Sequence, residues 1–167
     1  SVSDGSNAVT NTVAITVTDV NDQTPTFSAT AGAINYAEGA TTAVDSFTIT
    51  DTDTTGTLAC AESGADASKF SCTISGSTLT VSWDASPDFE TQTDADSNGV
   101  YVYTITVGDG TNDASAVTYT ITVTDVNEAS PVFGDGATAS ANVAENTQTV
   151  GTYSATDADT ADTLTYS

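Results

Sequence analysis

The chain is almost without positive charge. Its 167 residues include 23 acids, a single base (Lys69) and no histidine, which gives a formal net charge of −22. The carboxylates therefore repel one another and have almost no internal cation to pair with. Nucleic acid is excluded as a partner and an anionic membrane surface is disfavoured, because both require a basic face.

Long apolar runs and helical periodicity are missing as well. No run comes near the roughly 20 apolar residues that cross a bilayer, so we expect no direct membrane insertion of this segment. No apolar pattern repeats every 3.6 residues, and we expect no helices of consequence. No secretory leader is visible, but the chain begins inside a strand pattern, and we expect it to be an excerpt of a longer protein.

The apolar residues that are present alternate with polar ones. Residues 101–107 place Tyr, Tyr, Ile and Val on one face, and residues 117–123 repeat the pattern with threonine on the other face. A period of two with one apolar face is typical of a half-buried strand. It argues against the disorder that a high net charge can cause.

Seven such strands are predicted in the middle of the chain, separated by turns rich in Gly, Asp and Ser. Their predicted bounds are 26–36, 43–50, 57–62, 68–74, 78–83, 100–107 and 116–124. Seven short strands in about a hundred residues predict an all-β, two-sheet sandwich.

The sequence repeats itself at the length of one such sandwich. Residues 16–22 read TVTDVND and residues 122–128 read TVTDVNE, and from Asp19 to Asp125 is 106 residues (125 − 19). A tandem array with a period of about 106 residues follows. Its parts are the last strands and linker of a preceding repeat (1–22), one complete repeat with its exit linker (23–129) and the first strands of a following repeat (130–167).

Acidic residues gather where the predicted strands end. If successive strands alternate in direction, every second loop falls at the same end of the sandwich. The chain entry at 19–22, the loop at 51–53 and Asp109 then meet at one end, which we name the first junction. At the other end, named the second junction, the list is Glu38, the loop at 88–90 and the exit at 125–128.

Such junctions need a cation. Two carboxylates 4 Å apart repel by roughly 4 kcal/mol at an effective dielectric constant of 20. Calcium takes six to eight oxygen ligands from carboxylates, amides and backbone carbonyls in flexible geometry, whereas magnesium demands a stricter octahedron. Zinc is disfavoured by the lack of histidine. The alternative is that these are the solvated acidic loops of a halophilic or marine protein.

The order of these motifs resembles a cadherin repeat. Glu38 follows the first strand, Asp-x-Asp stands at 51–53, Asp-Phe-Glu at 88–90, Gly-Asp-Gly at 108–110 and Asp-Val-Asn-Asp at 19–22. The Asp-, Thr- and Ala-rich composition resembles the prokaryotic form found in giant surface adhesins and filaments. The resemblance implies a Greek-key, immunoglobulin-like sandwich of seven strands, repeated in tandem, with calcium at every repeat junction.

Carried over residue by residue, the resemblance implies two sets of calcium ligands. At the first junction they are Asp19, the carbonyl of Val20, Asn21, Asp22, the carbonyl of Gln23, Asp51, Asp53 and Asp109. At the second junction they are Glu38, Asp88, Glu90, Asp125, the carbonyl of Val126, Asn127, Glu128, the carbonyl of Ala129, Asp157 and Asp159. The chain departs from the family pattern at Glu128, where the family has Asp, and at Gln23 and Ala129, where it has Asn.

A further acidic loop leaves two interpretations open. Asp94, Asp96 and Asn98 stand in a D-x-D-x-N-G stretch that resembles the first half of an EF-hand loop, but position twelve of such a loop would be Ile105, in a strand. The loop is therefore either an extra calcium site or a turn built on Asx hydrogen bonds.

The two cysteines and the single tryptophan are in phase with core residues. Cys60 and Cys72 both face the core, so they are either a disulfide, favoured in an extracellular chain, or two buried thiols. Trp83 alternates with Leu79 and Val81, which favours a core position over a sugar-stacking surface.

The expected function is mechanical. We expect an extracellular or cell-surface calcium-binding repeat of a long adhesin or filament, whose partners are neighbouring repeats. One alternative is an adhesive module that binds itself or a glycan through a sandwich face. Another is a self-assembling fibre subunit whose end-domains are completed by other chains. No enzyme is expected, since a catalytic pair such as Asp88 and Glu90 is already used at a junction and no insertion forms a pocket.

Overall fold

Two four-stranded sheets form the centre of the molecule in the computed structural model, which describes residues 1–136, 138–159 and 162–167. The strands are β1 (Val2–Ser3), β2 (Ala8–Val9), β3 (Thr26–Phe27), β4 (Gly32–Ala37), β5 (Asp45–Thr50), β6 (Ala59–Ser63), β7 (Phe70–Ser75), β8 (Thr78–Trp83), β9 (Val100–Gly108), β10 (Val117–Thr124), β11 (Val132–Phe133) and β12 (Ala155–Thr156). A single 3₁₀ turn at Ala67–Lys69 precedes β7. The predicted all-β sandwich is confirmed.

The sheets connect strands that are distant in sequence. One sheet has the order β4-β10-β9-β6 and the other β3-β5-β8-β7. The β4–β10 pair is parallel and all other pairs in these sheets are antiparallel. Because strands that are neighbours in a sheet are often not consecutive in the sequence, the topology is that of a Greek-key sandwich.

The first predicted strand divides between the sheets. Residues 26–36 were expected to be one strand, but β3 pairs with β5 while β4 pairs with β10, and residues 28–31 cross from one sheet to the other. The single-strand prediction is therefore wrong. Apolar alternation continues on both sides of the crossing, so the period alone could not show that the hydrogen-bonding partner changes.

The core lies between the sheets and is rich in aromatic rings. Leu79, Tyr103 and Ile105 have no exposed surface. The ring of Phe70 lies 4.3 Å from that of Trp83 and 4.8 Å from that of Tyr103, measured between centroids. Trp83 is partly buried and packs against the core, as expected, rather than standing free on the surface. This packing fixes the strand ends from which the acidic loops project.

The outer faces of the sheets carry hydroxyls in place of charge. The outward positions of β5, β7 and β8 are Ser46, Thr48, Thr50, Ser71, Thr73, Ser75, Thr78, Thr80 and Ser82. On the opposite face, β10 presents threonine at 118, 120, 122 and 124. Most of the acids therefore lie in the loops at the ends of the sandwich; Glu62 on β6 is an exception.

A disulfide joins the two sheets at one side. Cys60 on β6 and Cys72 on β7 are bonded, with an S–S distance of 2.07 Å and a Cα–Cα distance of 6.4 Å. Since β6 and β7 are edge strands of different sheets, the bond closes this side of the sandwich. The crossing at residues 28–31 closes the other side.

The flanking segments form only short hairpins, β1–β2 and β11–β12. Val13, Ile15 and Val17, predicted to lie in a strand, are 72%, 84% and 91% exposed and unpaired with a sheet. In the central unit β4 pairs only with β10. Residues 138–150 follow β11 as β4 follows β3, and the described chain contains no strand that could pair with them as β10 pairs with β4. A search of the described residues found no helix long and apolar enough to cross a membrane.

We predict that loss of the disulfide destabilises the sandwich without unfolding it. The bond closes a loop with a sequence separation of 12, and such a loop corresponds to about 2–4 kcal/mol. Urea unfolding of the wild type with and without reductant measures the loss. The double variant Cys60→Ala/Cys72→Ala is the control: it should be less stable than the oxidised wild type, and reductant should leave its transition unchanged.

Candidate metal centres

Three acidic side chains converge at the first junction. Asp51 and Asp53 follow β5, Asp109 follows β9, and oxygens of the three lie within 4.8 Å of one another. These strand ends meet because β5 and β9 lie in facing sheets and point their carboxyl ends the same way. The three acids that the loops were predicted to contribute to the first junction are thus brought together.

The incoming linker is tied to the same loop by carboxylates. Asp53 Oδ2 accepts the backbone N–H groups of Asp22, at 3.0 Å, and Gln23, at 2.7 Å. Asp19 Oδ2 accepts both the hydroxyl, at 2.7 Å, and the N–H, at 2.6 Å, of Thr54. The Thr54 hydroxyl and N–H hold the pKa of Asp19 below its ordinary value, so this carboxylate stays ionised.

Asp109 is the buried acid of this junction, with 2% of its surface exposed. Its Oδ1 accepts the N–H groups of Thr111 and Asn112, each at 2.8 Å. The Asn112 N–H lowers the pKa of Asp109 most, and burial opposes that change. A buried carboxylate held ionised in this way is a suitable ligand for a cation.

Asn112 is a site residue that sequence reasoning missed. Its Nδ2 lies 3.0 Å from the carbonyl oxygen of Gln23. A signal was available: Asn7 stands at the same place after Asp4 as Asn112 does after Asp109, and Asp4 Oδ1 likewise accepts the Asn7 N–H, at 2.7 Å. The repeat of this turn marks it as part of the junction.

Glycine at position 56 allows the linker to approach. Gly56 has φ +101°, and a Cβ there would lie 2.6 Å from Asn21 Nδ2 and 2.9 Å from the Asp109 carbonyl oxygen. Asn21 Nδ2 itself is 3.4 Å from that carbonyl. Only a residue without a side chain fits this gap.

Glu38 organises the second junction. It is 4% exposed; its Oε2 accepts the N–H of Phe89 at 2.6 Å and its Oε1 that of Val126 at 2.7 Å. One carboxylate therefore joins the 88–90 loop to the exit linker. Its oxygens also converge with those of Asp88 and Glu90 within 4.8 Å.

A second acidic group at this junction includes a residue of the following segment. Oxygens of Glu90, Asp125 and Asp159 lie within 4.8 Å of one another. Asp159 is 2% exposed, and its Oδ2 accepts the N–H groups of Glu128, at 2.9 Å, and Ala129, at 2.8 Å. Its Oδ1 is buried and has no hydrogen-bond partner within the described part of the chain.

Buried carboxylate oxygens without a donor are costly and call for a cation. Asp159 Oδ1 fits this description, and the donor set around it is oxygen alone. Oxygen-only ligands in irregular loops suit calcium, whereas magnesium requires a near-ideal octahedron and zinc favours nitrogen and sulphur. The residues present therefore fit calcium.

The charges at the second junction oppose one another. Burial, followed by the charges of Glu38 and Asp125, raises the pKa of Glu90 above its ordinary value. The charge of Glu38, followed by burial, raises the pKa of Glu128. Protonation of both glutamates is thus easier than for an isolated side chain, and a cation that compensates the repulsion would oppose this change.

Other predicted ligands stay outside the converging groups of the described residues. The acidic ones are Asp19, Asp22, Glu128 and Asp157. The other predicted ligands are not acidic side chains; they belong to the two linkers and are Asn21, Asn127 and the carbonyls of Val20, Gln23, Val126 and Ala129. Asp157 Oδ1 accepts the N–H of Asp159 at 3.3 Å. Their role as ligands stays a prediction.

The 94–99 loop is a turn held by carboxylates. Asp94 is 5% exposed and accepts the N–H groups of Asn98, at 2.7 Å, and Gly99, at 3.3 Å. Asp66, also buried, accepts the N–H groups of Ala95 and Val102, each at 2.7 Å. These Asx-type bonds use Asp94 within the turn. A calcium ion held by Asp94, Asp96 and Asn98 stays a prediction.

Comparisons with known proteins identify the fold. No family model and no curated protein sequence matches the chain. Among solved structures, human CDH23 EC21-23 has a TM-score of 0.61 at 23% identity, covering 86% of this chain and 46% of that one. Protocadherin gammaB7 EC3-6, a cis-dimer structure, has a TM-score of 0.55 at 28% identity, covering 85% and 34%.

Human Protocadherin-24 EC1-2 is similar as well, with a TM-score of 0.53 at 21% identity, covering 84% of this chain and 61% of that one. The chain spans less than two thirds of each of these three structures. It therefore has a cadherin-like fold, as its motifs predict.

We predict that Gly56→Ala disrupts the first junction more than Gly110→Ala does. Both glycines have positive φ, +101° and +93°, but a Cβ at Gly110 meets nothing within 4 Å. Both variants share a backbone strain of about 1–3 kcal/mol, and only Gly56→Ala must also move Asn21 and the Asp109 carbonyl. Urea unfolding and amide exchange of residues 19–24 measure the difference. Equal effects of the two variants contradict the close approach.

We predict that mild acid stabilises the calcium-free protein. The pKa values of Glu90 and Glu128 are raised above 4.5, so the folded state binds protons more tightly than the unfolded state, and Tm in chelator rises as pH falls from about 7 toward 5. Below 3.8 the trend reverses, because Asp19 and Asp109, with lowered pKa values, lose their ionised hydrogen bonds near or below that pH.

The control for this pH profile is Glu128→Gln, which removes an exposed carboxylate. Its Tm should rise less between pH 7 and 5 than that of the wild type. A wild-type Tm that falls steadily over the same range contradicts the prediction.

Proposed function

We propose that the chain is a calcium-binding structural repeat of a long extracellular adhesin or surface filament, in which calcium at the junctions stiffens the rod. The carrying observation is that carboxylates from separate loops converge at both ends of one sandwich, in a chain with a single base. The cadherin-like fold and the uncharged sheet faces support the same conclusion.

The proposed organisation is an array with a period of about 106 residues, from Asp19 to Asp125 (125 − 19). Residues 1–22 end one repeat, residues 23–129 form a complete repeat with its exit linker, and residues 130–167 begin the next. The hydrogen bonds from Glu128 and Ala129 to Asp159 support this assignment, because they join the exit linker to the following segment.

The chain's own residues explain the stiffening. Asp53 and Glu38 already hold the two linkers through backbone N–H groups, and the neighbouring carboxylates would share bound calcium between sandwich and linker. A bound ion would supply positive charge that cancels the repulsion among these oxygens. Extracellular calcium modules bind at about 10⁻⁴–10⁻³ M, so extracellular fluid would saturate such sites and cytosol would not.

Adhesive contact between copies is the second candidate. The outer faces of both sheets present hydroxyl and small apolar groups, so two copies could meet there without opposing carboxylates. An interface of this kind needs about 1,200–2,000 Å² of buried surface. Concentration-dependent association in calcium would favour this candidate.

We predict that calcium stabilises the protein and magnesium does not replace it. With Kd in the stated range and about 10 mM calcium, each site adds about 1.4–2.7 kcal/mol to the free energy of unfolding. Thermal unfolding in calcium, in chelator and in chelator with excess magnesium measures this, and small-angle scattering follows the largest dimension. An identical Tm and dimension in all three solutions would sink the proposal.

Two variants locate the effect. Glu38→Gln should lose part of the calcium stabilisation, because Glu38 lies in the second-junction group. Glu62→Gln is the matched control, since Glu62 lies on the edge strand β6 and accepts the Tyr103 hydroxyl at 2.9 Å, away from both junctions. It should retain the full calcium response.

A further inference from the structure

The side-chain amide of Asn112 lies among three oxygens of the first junction. Its Nδ2 is 3.0 Å from the Gln23 carbonyl oxygen, 3.4 Å from Asn21 Oδ1 and 3.4 Å from Asp109 Oδ2. Two of these oxygens belong to the incoming linker and the third to the loop after β9. One amide therefore bridges the linker and the sandwich.

Hydrogen bonds to the backbone of Asn112 hold the residue in place. Asp109 Oδ1 accepts the backbone N–H of Asn112 at 2.8 Å, and the backbone N–H of Asp109 donates to the backbone carbonyl of Asn112 at 3.2 Å. Just beyond, the Ala114 N–H donates to the Val107 carbonyl at 2.8 Å and closes the turn. Asn112 can thus change its amide orientation, but its position in the junction is fixed.

The side chain of Gln23 does not compete for its own carbonyl. The side chain of Gln23 turns away, and its Nε2 donates to Asp22 Oδ1 at 2.8 Å. Gln23 consequently presents only its carbonyl to Asn112. The Asn112 amide is then the group that faces the carbonyl.

An amide has two ends of similar size and opposite function. The NH₂ end donates hydrogen bonds to oxygens, and the C=O end accepts them or binds a cation. Oxygens that share one calcium ion at 2.3–2.6 Å lie roughly 3–3.5 Å from one another. The separations of 3.0–3.4 Å around Asn112 match that spacing, so a half-turn of the amide would exchange a donor for a ligand without moving the backbone.

We propose that Asn112 is a positioning residue with two states: without calcium its NH₂ group fastens the incoming linker, and with calcium its oxygen turns to the ion. The inference rests on the proposed calcium function of the first junction. It explains how the linker keeps its ligand geometry when the ion is absent, in spite of the surrounding carboxylates. The junction would then bind calcium without first having to order residues 19–23.

Amide-resolved hydrogen exchange as a function of calcium concentration tests this in the full chain. The amides of residues 19–24 report the first junction and those of 125–129 the second, so each affinity is read separately. Asn112→Ala removes both ends of the amide. It should weaken calcium binding at the first junction about three- to tenfold and speed the exchange of residues 19–24 in chelator by a similar factor.

Asn112→Asp separates the two states. It keeps an oxygen ligand and loses the donor, so calcium affinity should equal or exceed that of the wild type, while exchange in chelator should be as fast as in Asn112→Ala or faster. Asn35→Ala, on the exposed face of β4, is the matched control and should change neither quantity. The second junction should be unaffected in all variants.

Two results overturn the proposal and are distinguishable. If the wild type binds calcium at the first junction and Asn112→Ala leaves both affinity and exchange unchanged, the inference is wrong and the proposed function stands. If the wild type binds no calcium, the proposed function and the ligand role of Asn112 are both wrong. Exchange in chelator alone then decides whether the amide fastens the linker.

Discussion

Carboxylate repulsion at the ends of one small sandwich is the constraint on which the rest of the molecule depends. The chain has too few cations to neutralise these groups from within, so it satisfies them in two other ways. Backbone N–H groups of the linkers bind Asp53, Glu38 and Asp159, and the remaining oxygens would be available to the proposed calcium. The order of the linkers and the proposed affinity for calcium would therefore depend on the same few side chains.

The sheet faces and the core follow from that constraint. Because most acids lie in the loops, β5, β7 and β8 present serine and threonine outward, and the strands are held by aromatic packing around Phe70 and Trp83. The disulfide at one side and the chain crossing at the other fix the two sheets against each other. A rigid frame is needed, because loops from different strands must hold oxygens within a few ångströms.

Much of this could be predicted from residue order. Asp51, Asp53 and Asp109 were assigned to one end because loop parity follows from strand alternation. A disulfide between Cys60 and Cys72 was favoured over two buried thiols, because both are in phase with core positions and an extracellular chain was expected. The division of residues 26–36 could not be seen, since alternation is the same in either sheet. Asn112 was missed because its one sequence signal, the matching spacing of Asp4 and Asn7, does not reveal what the side chain contacts; that depends on a turn that brings residues 23 and 112 together.

The parallel pairing of β4 with β10 has a consequence for load. In the proposed array, a pull would enter the central sandwich ahead of β4 and leave it after β10, and these points lie at opposite ends of a ladder that runs from Gly32 beside Tyr119 to Ala37 beside Thr124. Tension therefore shears the ladder, and its hydrogen bonds must fail together. An antiparallel pair held at one end would instead unzip bond by bond. The same pairing that completes the sandwich makes it a strong link.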